Sequence, residues 1–289
     1  MNARRSYTIP LLNGGALALG RRTLVMGVVN VTPDSFAGQT ARVADPARAI
    51  DYAERLVAEG ADIVDIGGES TRPGAAPVAA AEELSRVLPV LDGLARRVRV
   101  PISIDTYKAE VAEAALDRGA TIVNDVSALQ NDEALAGVVA RRGGAIVLMH
   151  SRGRSSRMYD EAHYADVAGE VVTELSARID TAVRAGVARD RILVDPGLGF
   201  AKRAEHTYEM LAGLDRLRDL DRPILVGPSR KSFLRAALGD RPPDGREWGT
   251  AAAVAAAVLL GAHIVRVHGV GAMVDVVRVA DRVRQAAGV

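Results

Sequence analysis

Cysteine is absent from the 289 residues. That absence excludes disulfides, thiolate catalysis and cysteine-based zinc centres. Lysine is nearly absent: of 37 basic residues only Lys108, Lys202 and Lys231 are lysine. Each of these is conspicuous against so strong a preference for arginine. Large rings are also scarce, with three Phe and one Trp, so their placement carries information. No charge of either sign predominates, and a net charge of +1 gives no field that would select nucleic acid or a membrane surface. The longest uncharged apolar run, Ala251 to Ala262, falls well short of the ~20 residues of a spanning helix. Near the start, Arg4 and Arg5 precede an apolar patch, but Pro10, Asn13, Gly14 and Gly15 interrupt any signal-peptide core. The chain reads as a soluble, cytoplasmic protein able to bury a large core, since 48% of its residues are hydrophobic.

What is present is a regular alternation. A short N-terminal extension from Tyr7 to Arg22 has a hairpin turn signal at Asn13-Gly14. Beyond it, strand-like runs cover Leu24–Asn30, Asp62–Ile66, Pro101–Asp105, Thr121–Asn124, Ala145–Met149, Arg191–Asp195, Ile224–Gly227 and Ile264–Val267. Segments with helical spacing follow each: Pro46–Glu59, Ala80–Arg97, Lys108–Asp117, Asp132–Arg141, Ala165–Ala185, Ala204–Leu220, Arg246–Gly261 and Val274–Ala286. Pro46 after Asp45 reads as N1 after an N-cap, and Gly60, Gly119, Gly143, Gly186 and Gly261 stand where helices stop. Eight β units alternating with eight α units predict a (β/α)8 TIM barrel, one domain over 1–289. A doubly wound open sheet is the alternative, but no G-x-G-x-x-G follows the first strand at Asn30-Val-Thr-Pro-Asp-Ser-Phe36.

Chemistry in such barrels sits at the C-terminal strand ends. Those ends read Asn30, Gly67-Gly68-Glu69-Ser70-Thr71-Arg72-Pro73, Asp105, Asn124-Asp125, Met149-His150, Asp195-Pro196-Gly197, Gly227-Pro-Ser-Arg-Lys231 and Arg266-Val-His268. A charge so close to a barrel interior needs a partner or a ligand. Asp105, Asn124 and Asp195 can meet a flat heterocycle with amino and ring N–H donors, and Lys231 can donate to its carbonyl or ring nitrogen. Ser229 has the look of a helix N-cap, with Arg230, Lys231 and Ser232 in the first turn. Arg266 and His268 share one side of the last strand by the period of two and, with Asn30, suit a phosphate or diphosphate. There is no H-x-H or H-E-x-x-H, so any metal is hard, oxygen-bound and brought by phosphate. Phe36, Phe200 and Phe233 all follow strand ends, which points to an aromatic guest. For Asp65, Asp125 and His150 a structural hydrogen-bonding role is expected instead.

Met26-Gly-Val-Val-Asn-Val-Thr-Pro-Asp-Ser-Phe36, Asp65-Ile-Gly-Gly-Glu-Ser-Thr-Arg-Pro-Gly74, Ser103-Ile-Asp-Thr106 and Val123-Asn-Asp-Val126 resemble bacterial dihydropteroate synthases. So do Asp195-Pro-Gly-Leu-Gly-Phe-Ala-Lys202, Ser229-Arg-Lys-Ser-Phe233 and Arg266-Val-His268. The resemblance implies a dimeric (β/α)8 enzyme that joins 4-aminobenzoate to a dihydropterin diphosphate and is the target of sulfonamides. It assigns Asp105, Asn124, Asp195 and Lys231 to the pterin, with Met149 and Gly227 lining that pocket. Asn30 would be the Mg²⁺ ligand, and Arg266 and His268 the diphosphate anchors; Asp105, Lys231, Arg266 and His268 would be catalytic. Asp34 and Phe36 of one loop, Thr71, Arg72 and Pro73 of a second, and Phe200, Lys231 and Ser232 would surround the aminobenzoate. Three departures from the family pattern stand out: Pro228 before Ser-Arg-Lys, Gly269 after the final His, and Ala37-Gly38-Gln39 after the first-loop Phe. Two rivals share the barrel: a pterin-binding methyltransferase domain and a non-catalytic pterin-binding relative.

Overall fold

The computed structural model describes residues 2–32, 45–70, 75–153, 159–160 and 162–289. The chain opens with an antiparallel hairpin, β1 (Tyr7–Pro10) and β2 (Ala16–Leu19), in register from Tyr7↔Leu19 to Pro10↔Ala16. It turns where the Asn13-Gly14 pair predicts: Gly14 is left-handed at φ +80°, and Asn13 Oδ1 accepts from Gly15 N at 3.0 Å.

Eight strands follow, all parallel to their neighbours: β3 (Leu24–Asn30), β4 (Ile63–Gly67), β5 (Ile102–Asp105), β6 (Ala120–Asp125), β7 (Ala145–Met149), β8 (Ile192–Asp195), β9 (Leu225–Val226) and β10 (Ile264–Val267). From β3 to β8 each pairs with the next in chain order, and β10 pairs with both β9 and β3. The ring closes between β8 and the approach to β9, where Val194 bridges Ile224 and Val194 N donates to Pro223 O at 3.0 Å. The (β/α)8 barrel expected from the alternation is therefore the fold. β9 is the shortest strand because Gly227 and Pro228 end it, and proline has no N–H for a ladder.

Around the strands lie α1 (Pro46–Ala58), α2 (Ala80–Leu94), α3 (Ala109–Leu116), α4 (Ala134–Arg142), α5 (Val167–Arg184), α6 (Ala204–Ala212), the single turn α7 (Arg235–Leu238), α8 (Glu247–Leu259) and α9 (Val270–Ala286). Asp45 caps α1 through Ala47 N at 3.0 Å with Pro46 behind it, as its sequence dictates. The five glycines read as helix stops are all left-handed. Two helices differ from expectation. The segment Ala204–Leu220 divides at Gly213 into α6 and a 3-10 stretch over Leu214–Leu220, and a Cβ at Gly213 would lie 3.0 Å from Ala168 on α5. The last helix begins at Val270 rather than Val274, directly after the final strand.

Two apolar cores result. One lies between the strands and the helix layer, with Val64, Ile66, Val123, Ile146 and Val194 facing Leu56, Val87, Leu135 and Leu175. The other fills the barrel itself. It takes Leu24 and Met26, Ile63, Ile122, Ala145 and Val147, Leu193, Leu225 and Ile264 from inside the strands, and Ile9, Leu11, Leu17 and Leu19 from the hairpin. Most of these strand residues are first in their strands, so the hairpin seals the N-terminal end and chemistry is left to the other. Leu19→Ala should lower stability by about 2–5 kcal/mol, the usual cost of a cavity in a well-packed core. Urea unfolding measures this, and an unchanged midpoint would mean that the hairpin does not seal the barrel.

Candidate active site

The period of two along a strand decides which side chains enter the barrel. Because Ile63, Ile122, Leu193, Leu225 and Ile264 belong to the inner core, so do the faces two and four residues on. That parity directs Asp65, Asn124, Asp195, Gly227, Arg266 and His268 inward, and the same argument from Met26 and Val147 brings in Asn30 and Met149. Asp105 joins them from β5. Asp125 has the opposite parity, and its carboxylate holds the turn after β6 through Ser127 N at 2.8 Å, Ser127 Oγ at 2.7 Å and Leu129 N at 2.6 Å.

At the centre of the cup, the Arg266 guanidinium spans two carboxylates. Nε donates to Asp65 Oδ2 and Nη2 to Asp105 Oδ2, each at 2.6 Å. Asn124 Nδ2 donates to the same Asp65 oxygen at 3.0 Å. Asp65 is fully buried and Asp105 nearly so. Burial works against the charge of Arg266, but Asp65 and Asp105 outweigh it and hold the guanidinium protonated. One cation cannot neutralise both acids. Burial pushes the Asp105 carboxyl up to about 7; Arg266 opposes that rise, while Asp65, Glu83 and Asp125 add to it. Asp105 Oδ1 is buried with no hydrogen-bond partner, an arrangement that costs free energy until a donor arrives.

Asp195 lies across the cup. Its Oδ1 accepts from Gly197 N at 2.7 Å, and burial raises its carboxyl above the ordinary range despite Lys231, the largest opposing influence. The Lys231 ammonium donates to Leu198 O at 2.7 Å and sits 4.6 Å above the centre of the Phe200 ring. Burial lowers it to about 8, and Asp195 and Asp105 pull the other way. A Cβ at Gly227 would stand 3.9 Å from Lys231 Nζ and 3.7 Å from Arg266 Cβ, so this glycine leaves the floor between the two cations open. At the rim, a Cβ at Gly67 would meet Asp105 Oδ2 at 3.6 Å and Asn30 Oδ1 at 3.8 Å, so those two side chains converge. Ser229 Oγ lies 3.0 Å from His268 Nδ1 and accepts from His268 N at 3.2 Å, which fixes the imidazole at the end of β10. A groove of about 490 Å³ on the outer helix layer, between Asp166, Thr173, Arg216 and Asp219, gathers exposed side chains instead. The site is therefore identified by buried charge and not by volume.

Residues 26–268 match the model of a protein family described as "Pterin binding enzyme". The chain is 49% identical to dihydropteroate synthase of Mycobacterium leprae over 261 residues, covering 88% of this chain and 91% of that protein. It is 45% identical to the Synechocystis dihydropteroate synthase, covering 91% and 90%. The solved Xanthomonas albilineans dihydropteroate synthase with 4-aminobenzoic acid superposes with a TM-score of 0.88 at 41% identity, covering 97% of this chain and 99% of that one.

The chain belongs to the dihydropteroate synthase family.

Asn30, Asp105, Asn124, Met149, Asp195, Gly227, Lys231, Arg266 and His268 come together in one cup, and Phe200 stands at its edge beside Lys231. Ser232 is exposed, next to Lys231. Asp34, Phe36, Thr71, Arg72 and Pro73 lie outside the described residues, as do Ala37, Gly38 and Gln39. Two expectations fail. Ser229 is not a helix N-cap: Arg230 is left-handed at φ +59°, Lys231 is extended, and only a 3-10 turn over Ser232–Leu234 follows. The serine hydroxyl serves His268 instead. Phe233 does not face an aromatic guest but is buried in the outer core, edge-on to Tyr208 with ring centres 5.3 Å apart.

Arg266 also differs from a simple anion anchor, because two of its three nitrogens are engaged by carboxylates. Gly269 has a local reason: a Cβ there would fall 2.2 Å from Glu247 Oε1, and Glu247 is tied to Arg230 at 3.0 Å. The expected structural roles of Asp65 and His150 hold, Asp65 through Arg266 and Asn124, and His150 through a network with Lys202 and Glu174.

Asp105 yields a pH prediction. Its carboxyl titrates at 3.8 ordinarily and near 7 when folded, so between those values the folded protein holds a proton that the unfolded chain gives up. Its contribution to stability is present below about pH 4 and is lost as pH rises through 7. Asp105→Asn removes that dependence, and its melting temperature should gain on the wild type as pH rises from 4 to 8 without ligand. Parallel melting profiles would contradict the assignment.

Proposed function

We propose that this cup joins 4-aminobenzoate to a (7,8-dihydropterin-6-yl)methyl diphosphate, releasing diphosphate and 7,8-dihydropteroate for folate synthesis. The observation that carries the reading is the charge balance. Three buried carboxylates, Asp65, Asp105 and Asp195, face two cations, Arg266 and Lys231, in surroundings that exclude most water. A flat heterocycle bearing amino and ring N–H groups supplies the missing donors, and paired N–H bonds to a carboxylate are strong and planar. Asp105, Asn124 and Asp195 accept from it, Lys231 donates to its carbonyl or ring nitrogen, and Met149 and Gly227 give it room.

The same surplus of negative charge favours ionisation before attack. Departure of diphosphate takes the C–O bonding pair and leaves a cation delocalised over the dihydropterin. Asp105 lies where that charge develops, and preorganised electrostatics of this kind has most leverage on such a step. His268, held by Ser229, and the remaining nitrogen of Arg266 receive the departing anion. The arylamine nitrogen, unprotonated near neutrality, then forms the new C–N bond and gives up a proton, so no strong base is required. Among the described residues no group of three His, Asp or Glu could hold a resident metal. A single carboxamide oxygen at the rim fits a Mg²⁺ that arrives with diphosphate and keeps most of its waters. Asn30 would hold that ion, which when bound offsets leaving-group charge.

Phe200 and Ser232, with Asp34, Phe36, Thr71, Arg72 and Pro73 from the two loops, complete the aminobenzoate end. The structural neighbour solved with 4-aminobenzoic acid supports that ligand for this chain. For assembly we infer a homodimer: α8 and α9 pack together and leave Trp248, Val279 and Val283 exposed. A cytoplasmic setting accords with the absence, among the described residues, of any helix long and apolar enough to cross a membrane.

The direct test is incubation with the dihydropterin diphosphate, 4-aminobenzoate and Mg²⁺, followed by detection of dihydropteroate; no product would overturn the reading. Within the site, Asp195→Asn keeps the shape but sets a donor against a donor. Pterin affinity should fall by about 2–4 kcal/mol, as for other broken charge-assisted pairs. Calorimetric titration with a pterin measures it, and unchanged binding would remove Asp195 from the pterin site.

A further inference from the structure

Of the three lysines, Lys231 and Lys202 converge on one short loop, Gly197–Phe200, from opposite sides. Lys231 takes the Leu198 carbonyl from the cup. Lys202 is 1% exposed, and its ammonium donates to His150 Nδ1 at 2.8 Å, Phe200 O at 3.1 Å and Gly197 O at 3.3 Å. Three N–H groups meet three acceptors, so this buried cation is fully used. His150 accepts at Nδ1 and therefore carries its proton on Nε2, which faces Glu174 Oε2 at 3.0 Å. Burial, with Lys202 alongside, holds His150 neutral by lowering it to about 4. Glu174 is gripped by Arg152, whose guanidinium lies 4.0 Å over the Tyr164 ring, and Tyr164 OH donates to Ala201 O at 3.0 Å.

The loop needs such pins. Gly197, Gly199 and Ala201 are all left-handed, at φ +65°, +78° and +47°, and Ala201 is not a glycine. Glycine takes such a conformation freely, but a left-handed alanine persists only where the surroundings over-determine it. A Cβ at Gly197 would lie 1.9 Å from His150 O, so the loop is pressed onto the residue that Lys202 also binds. The carbonyls of Gly197, Leu198, Phe200 and Ala201 are each taken by one of three side chains, and the one belonging to Phe200 is taken by Lys202.

We propose that Lys202, through its bonds to the Phe200 and Gly197 carbonyls and its anchor on the His150–Glu174 pair, is a positioning residue that sets the Phe200 ring for the aminobenzoate. It touches no substrate, being enclosed beneath the loop. The proposal rests on the reading that Phe200 borders the aminobenzoate end, and the experiment keeps the two apart. Steady-state constants for both substrates are measured on the full chain for the wild type, F200A, K202M and K202M/F200A.

F200A alone tests the reading. It should raise KM for aminobenzoate roughly tenfold and leave pterin affinity within about threefold; an unchanged KM would fail that reading without reference to Lys202. K202M should give the same selective rise, because Asp195 still holds Gly197 N and Lys231 still holds Leu198 O. The double variant should be no worse than F200A, the signature of two residues acting through one ring. Effects that multiply, or a K202M loss shared equally by pterin and aminobenzoate, would overturn the proposal and leave Lys202 a general stabiliser. K202Q, which keeps two donors on a shorter stem, is measured alongside in case K202M does not fold. It must raise the aminobenzoate KM selectively and less than F200A, and wild-type constants in K202Q would equally overturn the assignment.

Discussion

One guanidinium shared by two buried carboxylates governs the interior of this barrel. Arg266 comes from the last strand, Asp65 from the second of the eight and Asp105 from the third, so the bridge ties β10 to β4 and β5 across the intervening β3. Removing either acid would leave one guanidinium nitrogen without its acceptor, and removing the arginine would leave two acids facing each other. The arrangement is one charge short of neutral by construction. Burial, with Asp65 adding to it, keeps the Asp105 carboxyl raised, its second oxygen is without a partner, and the shortage makes the cup receptive to a ligand that brings donors.

The rest of the molecule can be understood as isolating that site. The hairpin residues Ile9, Leu11, Leu17 and Leu19 exclude water from below, and the inner layer of Ile63, Ile122, Leu193 and Leu225 separates the plug from the charges. The helices contribute little to the chemistry directly. Their influence is exerted at strand ends, as where α5 supplies Glu174 to His150 and α8 supplies Thr250 Oγ1 to Arg230 N at 3.0 Å.

Much of this was legible in the chain. Strands showed themselves as apolar runs bounded by glycine and proline, and a polar residue interrupting such a run near its end marked the cup, as at Asp105, Asn124 and Asp195. Local patterns carried less. Ser229 followed by two cations has the composition of a helix start, yet a left-handed Arg230 sends the serine back to His268, a choice made by tertiary contact. Phe233 follows a strand, as expected, but faces the outer core, because spacing in a turn does not say which way a ring points. Arg266 reads in the sequence as a candidate site residue, while its two carboxylate partners, 161 and 201 residues away in the chain, leave no sequence signal of the pairing. The role of Lys202 was hidden for the same reason; its rarity and its place in the Asp195 motif were the available hints.

The shared parity of the inward residues bears on how this architecture can change over time. A side chain two places from another on a strand keeps its face, whereas one extra or missing residue exchanges the faces of everything beyond it. An insertion inside β8 would turn Asp195 toward the helices and carry a core side chain into the cup, and the same holds for Asn124 on β6 and Arg266 on β10. Substitution can tune these strands, but length variation within them abolishes binding and packing together. Evolutionary or engineered novelty in substrate preference is thereby confined to the connections past the strand ends, where residues can be added without disturbing the register.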